Sequence, residues 1–147
     1  DSNFKEEALT KFYNKWSHET LVMQKWLSAQ AGSPADDTFE RVKKLQGDKV
    51  YDKTVPNLVR SLIGAFAGNT KHFHNKDGSG YKFVADQIIE IDKLNPQMGS
   101  RLASAFKFYS KVQDDNKALM KVELERILAV SDLSKNVYEI VSKTLKS

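Results

Sequence analysis

The chain has 147 residues, of which 40% are hydrophobic and 29% charged, as in an ordinary globular domain with its own core. Its net charge of +4 comes from 23 basic and 19 acidic side chains interspersed along the chain, unlike the clustered basic surface of a nucleic-acid-binding protein. The lack of cysteine excludes disulfides and thiolate metal sites, and no apolar run approaches the ~20 residues that cross a bilayer. We therefore expect one domain over residues 1–147, and a cytoplasmic location is compatible with the lack of cysteine.

Apolar residues recur every three or four positions in the first third of the chain. This spacing predicts a helix over residues 5–16, a second one over residues 17–31, and a shorter one around residues 39–45. Residues 32–34, Gly-Ser-Pro, end the second of these helices. Segment 49–55, the one stretch with residues that favour a β-strand, is interpreted as a loop.

A central helix is predicted from Val55 to Ala67, with an apolar face wider than a surface helix needs. Its narrow remaining face carries Arg60 beside Gly64, where the missing side chain lets another backbone or a ligand come close. Because valine cannot cap a helix, we expect Thr54 to supply the capping hydroxyl.

The segment after this helix carries two histidines and a glycine-rich turn. His72 and His74 with Asp77 resemble a zinc ligand set only weakly, because no third strong ligand has a helix or strand to fix it and no H-E-x-x-H is present. The favoured interpretation is structural: His74 or Asp77 satisfies backbone groups and holds the turn. The residues assigned to this turn are His74, Asp77, Gly78, Ser79 and Gly80.

The second half of the chain predicts four more helices. One begins near Tyr81 and ends near residue 94, and Asn95-Pro96 supplies the cap and first residue of the next. That next helix is expected to extend to Tyr109, with Gln97 and Arg101 on its polar edge. The last two helices are predicted around residues 120–128 and 137–145, with Ser134 capping the final one.

Short loops and helical spacing throughout predict an all-α fold of about eight antiparallel helices, as a superhelical solenoid or a compact bundle. The aromatic residues stand at core positions of these helices rather than forming a ligand box. No Ser-His-Asp arrangement or nucleophile-elbow motif occurs. The chain therefore shows no complete catalytic apparatus.

Three segments carry a resemblance to a known family: RSLIGAFAG, FHNKDGSGYKF and NPQMGSRL. In this order they closely resemble the C-terminal region of bacterial aminopeptidase N (alanyl aminopeptidase), a gluzincin zinc metallopeptidase family, and a looser similarity covers the rest of the chain. The resemblance implies a superhelical solenoid that is part of a larger enzyme's C-terminal domain. A start at Asp1 without methionine suits such a fragment.

The resemblance also implies site residues. Arg60 falls in the family's R-x-L-x-G-x-F segment, and Gln97 and Arg101 fall in its N-P-Q-x-x-x-R-L segment. In that family the concave side of these helices faces the active-site chamber, and the position matching Gln97 borders the pocket for the substrate's N-terminal side chain. We expect all three to bind substrate, with no catalytic residue and no metal ligand in this chain.

What the family implies for partners is the catalytic domain of the same polypeptide and peptide substrates, with no nucleic acid and no membrane. Zinc would be the cofactor of the parent enzyme, bound in that other domain, and the chain alone would be inactive. An alternative is a stand-alone helical-repeat scaffold that binds a protein partner through its concave face. The polar residues Arg60, Gln97 and Arg101 suit a peptide chamber better than an apolar docking groove.

Overall fold

The computed structural model describes residues 6–11 and 20–147, and within these ranges all regular secondary structure is helical. Residues 6–11 are helical, whereas residues 12–19, which include parts of the first two predicted helices, lie outside the described residues. The following helices are α1 (Thr20–Ala31), α2 (Thr38–Gln46), α3 (56–67), α4 (Thr70–Phe73), α5 (Ser79–Asp92), α6 (Pro96–Ala103), α7 (Asp114–Leu128) and α8 (Lys135–Lys146). None of the described helices is long and apolar enough to cross a membrane.

Each helix packs mainly on its neighbours in the chain. Helix α1 contacts α2 and α3, and α5 contacts α6 and α7. The last helix, α8, packs against α6 and α7. Packing between sequence neighbours is the arrangement of a helical solenoid. The prediction of an all-α solenoid of about eight helices is confirmed, as is the loop at residues 49–55.

Two predicted helix starts are confirmed and a third is wrong. The Asn95 side chain accepts a hydrogen bond from the Met98 amide at 3.1 Å, and Ser134 caps α8 in the same way. Thr54 does not cap α3, because its hydroxyl donates to the Asp52 carboxylate at 2.6 Å instead. Helix α3 therefore begins at Pro56 without a side-chain cap, and proline suits this position because its missing amide proton needs no partner there.

Helix α6 is shorter than the apolar spacing predicts. Its α-helical part ends at Ala103 and is followed by the 3₁₀ turns Ser104–Phe106 and Tyr109–Lys111. The Ser104 hydroxyl donates to the Arg101 carbonyl at 2.6 Å, a local bond that competes with the helical backbone pattern. The tighter turns still bury Phe106 and Tyr109, so the apolar pattern survives while the helix does not.

Two groups of aromatic rings join the first half of the chain to the second. Phe39, Phe66 and Phe83 come from α2, α3 and α5, and their ring centroids lie 5.3 to 5.4 Å apart. Phe73 of α4 contacts Tyr81 of α5 edge to face at 5.0 Å. Such pairs add about 0.5–1.5 kcal/mol beyond the apolar area that they bury. The core thus continues through α4, which holds the two halves together.

Candidate functional site

A cleft of about 400 Å³ lies between the end of α3 with α4 on one side and the end of α6 with its following turns on the other. Gly64, Ala67 and Gly68 form a wall of small residues, and the nearly buried Phe73 and Leu102 contribute apolar surface. The remaining lining residues are Thr70, His74, Arg101, Ser104, Ala105, Lys107 and Phe108. The cleft therefore combines a small-residue wall with a polar rim.

The charged groups of this cleft are all basic. Arg101 and Lys107 line it, and none of the lining residues that the structure describes is an aspartate or glutamate. Arg101 has no ion pair or side-chain hydrogen bond with any other described residue, whereas Arg41 and Arg126 each contact two carboxylates. Lys107 Nζ lies 5.1 Å from the centroid of the Phe108 ring. An arginine without a partner at a cleft is available for an incoming acceptor.

The structure brings one of the three predicted substrate residues to the cleft. Arg101 lines it, opposite Gly64, while Arg60 and Gln97 are exposed and are not lining residues. Each of them stands one helical turn before a lining residue, Arg60 before Gly64 and Gln97 before Arg101. The Arg60 guanidinium donates to the Asn57 side-chain oxygen. Arg60 and Gln97 thus extend the polar edges of the two helices that form the cleft.

Helix α3 changes its winding where it meets the cleft. It is α-helical over Pro56–Val59, π-helical over Arg60–Gly64 and α-helical again over Ala65–Ala67. In the π segment the Ala65 amide donates to the Arg60 carbonyl, one residue further back than in an α-helix. Single π-helical turns of this kind occur frequently at functional sites. The π-helical segment ends at Gly64, the first residue of the small-residue wall.

The turn between α4 and α5 is built from local hydrogen bonds and a left-handed glycine. Gly78 has φ 78°, a conformation that favours glycine. The Asp77 carboxylate accepts from the Ser79 amide at 2.9 Å, and hydrogen bonding from the Ser79 side chain and then from this amide holds the pKa of Asp77 below its ordinary value. Helix α5 begins at Ser79, two residues before the predicted start at Tyr81. The charge of Asp77 also favours this helix N-terminus.

Gly80 allows α5 to touch the backbone of α4. A Cβ atom at this position would lie 2.3 Å from the His72 carbonyl oxygen and 2.5 Å from that of Phe73. Both distances are far below any real Cβ contact, so no larger residue fits without displacing a helix. The close approach fixes α4, and with it one side of the cleft, against α5.

Helix α4 is also tied to the loop between α1 and α2. The buried Asn69 caps α4 and donates to the carbonyl oxygens of Ala31 and Ser33 at 2.9 and 2.8 Å. Lys71 donates to the Pro34 carbonyl at 2.6 Å. His72 Nε2 donates to the Ala35 carbonyl oxygen at 2.7 Å, which requires the proton on Nε2. The side chains of α4 and its cap therefore hydrogen-bond to backbone carbonyl oxygens at the end of α1 and in the loop after it, more than thirty residues earlier in the chain.

His74 belongs to a second network. Its Nδ1 lies 2.6 Å from the Tyr81 hydroxyl, and Asn116 donates to that hydroxyl at 3.0 Å and to the His74 carbonyl at 3.2 Å. Burial lowers the pKa of His74. Burial also raises the pKa of Tyr81, and the hydrogen bond from Asn116 partly opposes that rise. Sequence reasoning assigned His74 to the turn and missed this network, since Asn116 lies on a different helix.

The residues of this site do not fit a metal ion. No group of three or more histidine, cysteine, aspartate or glutamate side chains suited to a metal occurs in the part of the chain that the structure describes. His72 and His74 are instead engaged with the Ala35 carbonyl and the Tyr81 hydroxyl. Zinc, as implied by the family resemblance, has no ligand set among the described residues.

Sequence reasoning also missed Asn69 and Asp92. An asparagine directly after Gly68 is a typical N-cap, so the pattern contained a signal for Asn69. Asp92 is almost fully buried and accepts from both the amide and the hydroxyl of Ser134 at the start of α8. Nothing local distinguishes Asp92 from an exposed acid, because its partner lies 42 residues further along the chain.

Comparison with known proteins agrees with this architecture. A family model described as "Domain of unknown function (DUF3458_C) ARM repeats" matches residues 1–146. Aminopeptidase N of Haemophilus influenzae is 38% identical over 97% of the chain, and that of Caulobacter vibrioides is 39% identical over 96%. In both cases the chain spans only 16% of the relative's length.

A solved structure shows the same fold. The crystal structure of Legionella pneumophila aminopeptidase A in complex with aspartic acid matches 99% of this chain with a TM-score of 0.94 and 32% identity, over 17% of its own chain. The family model and these relatives together cover the described helices and the cleft between them. The chain belongs to this ARM-repeat family and is a C-terminal domain of the kind found in aminopeptidase N proteins.

Proposed function

We propose that the chain is the non-catalytic C-terminal portion of a broad-specificity zinc aminopeptidase, where it encloses the active-site chamber and shapes the substrate pocket. The observation that carries this proposal is the cleft with a small-residue wall and an unpaired arginine, Arg101. The relatives named aminopeptidase N support the enzyme class. Because the chain spans 16% of their length, the chemistry would belong to the rest of the polypeptide.

The cleft offers positioning groups rather than reacting ones. The Arg101 guanidinium can donate two parallel hydrogen bonds to a peptide carbonyl or carboxylate, and Arg60 can do the same from the edge of α3. Gln97 carries a neutral amide one turn before Arg101, which can pack against side chains of varied chemistry. Such groups would orient a peptide without taking part in bond cleavage. The charged rim also fits a peptide better than the apolar groove expected of a protein-binding scaffold.

Zinc in the parent enzyme would be held outside this chain, since the described residues offer no ligand set for it. The catalytic domain of the same polypeptide is therefore the partner that we propose, in a cytoplasmic enzyme. The pure chain is expected to be inactive on alanyl substrates with added zinc. Metal-dependent turnover by the chain alone would contradict this part of the proposal.

The main experiment replaces Arg101 in the full-length enzyme. Arg101→Gln should lower kcat/KM for short peptides by about tenfold or more, because a hydrogen bond to a charged group contributes roughly 1.5–3 kcal/mol. Lys111→Gln is the matched control, since it removes one positive charge from the second 3₁₀ turn after α6 but lies outside the cleft. Equal effects of the two substitutions would show that only net charge matters and would contradict a binding role for Arg101.

Gln97 is tested through specificity. In the full-length enzyme, Gln97→Ala should change the relative kcat/KM values for different N-terminal side chains while leaving the bound zinc content unchanged. Profiling a panel of aminoacyl substrates measures this preference. A specificity profile identical to that of the unsubstituted enzyme would exclude Gln97 from the pocket.

A further inference from the structure

The hydrogen bonds around Tyr81 determine where the ring proton of His74 lies. Tyr81 is fully buried, and its hydroxyl accepts a hydrogen bond from Asn116. The hydroxyl proton needs an acceptor, and His74 Nδ1 at 2.6 Å is the acceptor within reach. A neutral imidazole that accepts at Nδ1 carries its proton on Nε2. Asn116 and Tyr81 therefore set His74 as an Nε2–H donor.

The Nε2 edge of His74 is the edge available to a ligand. Its Nδ1 edge faces the buried Tyr81, while the residue as a whole lines the cleft. No other described residue forms a hydrogen bond with Nε2, in contrast to His72, whose Nε2 is used by the Ala35 carbonyl. The two neighbouring histidines thus differ: His72 uses its Nε2 to bind the loop after α1, and His74 lines the cleft with its Nε2 unused.

The charges of the cleft select the kind of group that this donor can meet. Arg101 and Lys107 supply two positive charges, and the described lining residues contain no carboxylate to neutralise them. The neutral His74 adds a directed N–H without adding a third repelling charge. A ligand carboxylate accepts several hydrogen bonds at once, and these bonds are strongest where the donors are charged. The exposed ring of Phe108, which also lines the cleft, can contact the side chain next to this carboxylate.

We propose that this cleft recognises the C-terminal carboxylate of short peptides, with Arg101 and Lys107 binding its charge and the Nε2–H of His74 fixing its orientation. Tyr81 and Asn116 are positioning residues that act through His74. This inference rests on the proposed function and adds a substrate class: peptides with a free C-terminus are favoured over the same peptides as amides. It also moves His74 from a purely structural role to a binding one.

The first test measures His74 directly by ¹⁵N NMR on the labelled chain. The unliganded ring should show Nδ1 as acceptor and Nε2 as the protonated nitrogen. Acetyl-alanyl-alanine, which an aminopeptidase cannot cleave, should raise the pKa of His74, because a bound carboxylate favours the imidazolium. Its C-terminal amide should leave that pKa unchanged. A proton on Nδ1, or the same response to acid and amide, would overturn the inference.

Tyr81→Phe tests the positioning role in the same spectra. It keeps the buried ring but removes the hydroxyl, so His74 should populate both tautomers and lose part of its response to the acid. Near-ultraviolet circular dichroism reports whether the fold is retained. An unchanged Nε2–H tautomer in the folded variant would show that Tyr81 does not set the proton.

The second test uses two replacements of His74 in the full-length enzyme. Glutamine places an amide near the Nε2 position, whereas asparagine places one near Nδ1, so His74→Gln keeps the cleft donor and His74→Asn keeps the Tyr81 contact. The measured quantity is the ratio of kcat/KM for trialanine to that for trialanine amide. His74→Asn should lower this ratio about tenfold, the loss of one charge-assisted hydrogen bond, and His74→Gln should largely retain it. A purely structural His74 would give the opposite order and overturn the inference.

The outcomes separate this inference from the proposed function. Kinetics that depend on Arg101 but treat free and amidated peptides alike would retain the proposed function and overturn the carboxylate site. Specific binding of acetyl-alanyl-alanine to the chain, with peptide kinetics insensitive to Arg101→Gln, would retain the carboxylate site and overturn its role in the enzyme.

Discussion

Gly64 and Gly80 stand in opposite surroundings. A Cβ atom at Gly64 would meet only the Arg60 Cβ, at an ordinary 3.9 Å, and the space beyond it is the cleft. A Cβ atom at Gly80 would lie 2.3 Å from the backbone of α4. One glycine therefore leaves room, and the other lets two backbones touch. The comparison distinguishes a region that is open to a ligand from one that is closed by packing.

The closed region supports the open one. Gly80 and Asn69 fix α4 against α5 and against the loop after α1, and Phe73 at the end of α4 and His74 directly after it line the cleft. Small residues at the end of α3 can then leave a cavity without weakening the core. This arrangement predicts that substitutions near Gly80 act on stability and that substitutions at Gly64 act on binding.

The largest effect is expected for Gly80→Ala. The added methyl group would force α5 away from α4, which should lower the free energy of unfolding by about 3 kcal/mol, the upper range for overpacking. Urea unfolding followed by circular dichroism measures it. Gly64→Ala is the matched control and should change stability by no more than about 1 kcal/mol, in the stabilising direction, because alanine favours a helix. Similar losses in both variants would contradict the comparison.

Asn69→Ala should have the next largest effect. It removes the cap of α4 and leaves the carbonyl oxygens of Ala31 and Ser33 without their donor. Loss of buried hydrogen bonds of this kind costs about 2 kcal/mol. Urea unfolding again provides the measurement, and hydrogen exchange should show earlier opening of α4 than of α5. A loss below about 0.5 kcal/mol would mean that α4 does not depend on this contact.

A cleft-filling substitution tests the open region. Gly64→Leu should leave the free energy of unfolding within about 1 kcal/mol, since the side chain points into free space, yet it should reduce peptide kcat/KM in the full-length enzyme about tenfold. The control is Gly64→Ala, which is too small to occupy the cleft and should retain most activity. Full activity of the leucine variant would show that substrate does not use this cleft.

Most of the fold was predictable because its signals are local. Apolar spacing located the described helices other than the four-residue α4, which it did not predict, and Asn95 and Ser134 marked two of their starts. The errors arose where side chains found other local partners: Thr54 binds Asp52 instead of capping α3, and Ser104 bonds back to Arg101 and ends α6 early. Which partner such a side chain binds depends on competition between nearby hydrogen bonds, and residue spacing alone does not show which of these bonds is stronger.

The site was less predictable because its contacts are long-range. The family resemblance selected Arg101, which the structure places at the cleft, and the small residues of α3 indicated an open face. The partnership of His74 with Asn116 joins positions 42 residues apart, so neither residue suggests the other from sequence. The use of Arg60, Gln97 and Arg101 by a substrate stays a prediction.

The smallest effect expected is the pH dependence that His74 gives to stability. Burial holds its pKa below the ordinary 6.5, so below that value the unfolded chain binds a proton more readily than the folded one. The contribution of His74 is therefore complete above about pH 6.5 and is lost as the pH falls through the lowered folded pKa. The groups around the ring are Tyr81 and the neutral Asn116, and Arg101 and Lys107 line the same cleft. Urea unfolding from pH 7.5 to 5 should show a shallower decline for His74→Asn than for the unsubstituted chain. Identical declines would mean that the His74 ring remains hydrated in the folded chain. In that case His74 would not offer a ligand a hydrogen-bond donor that is shielded from water.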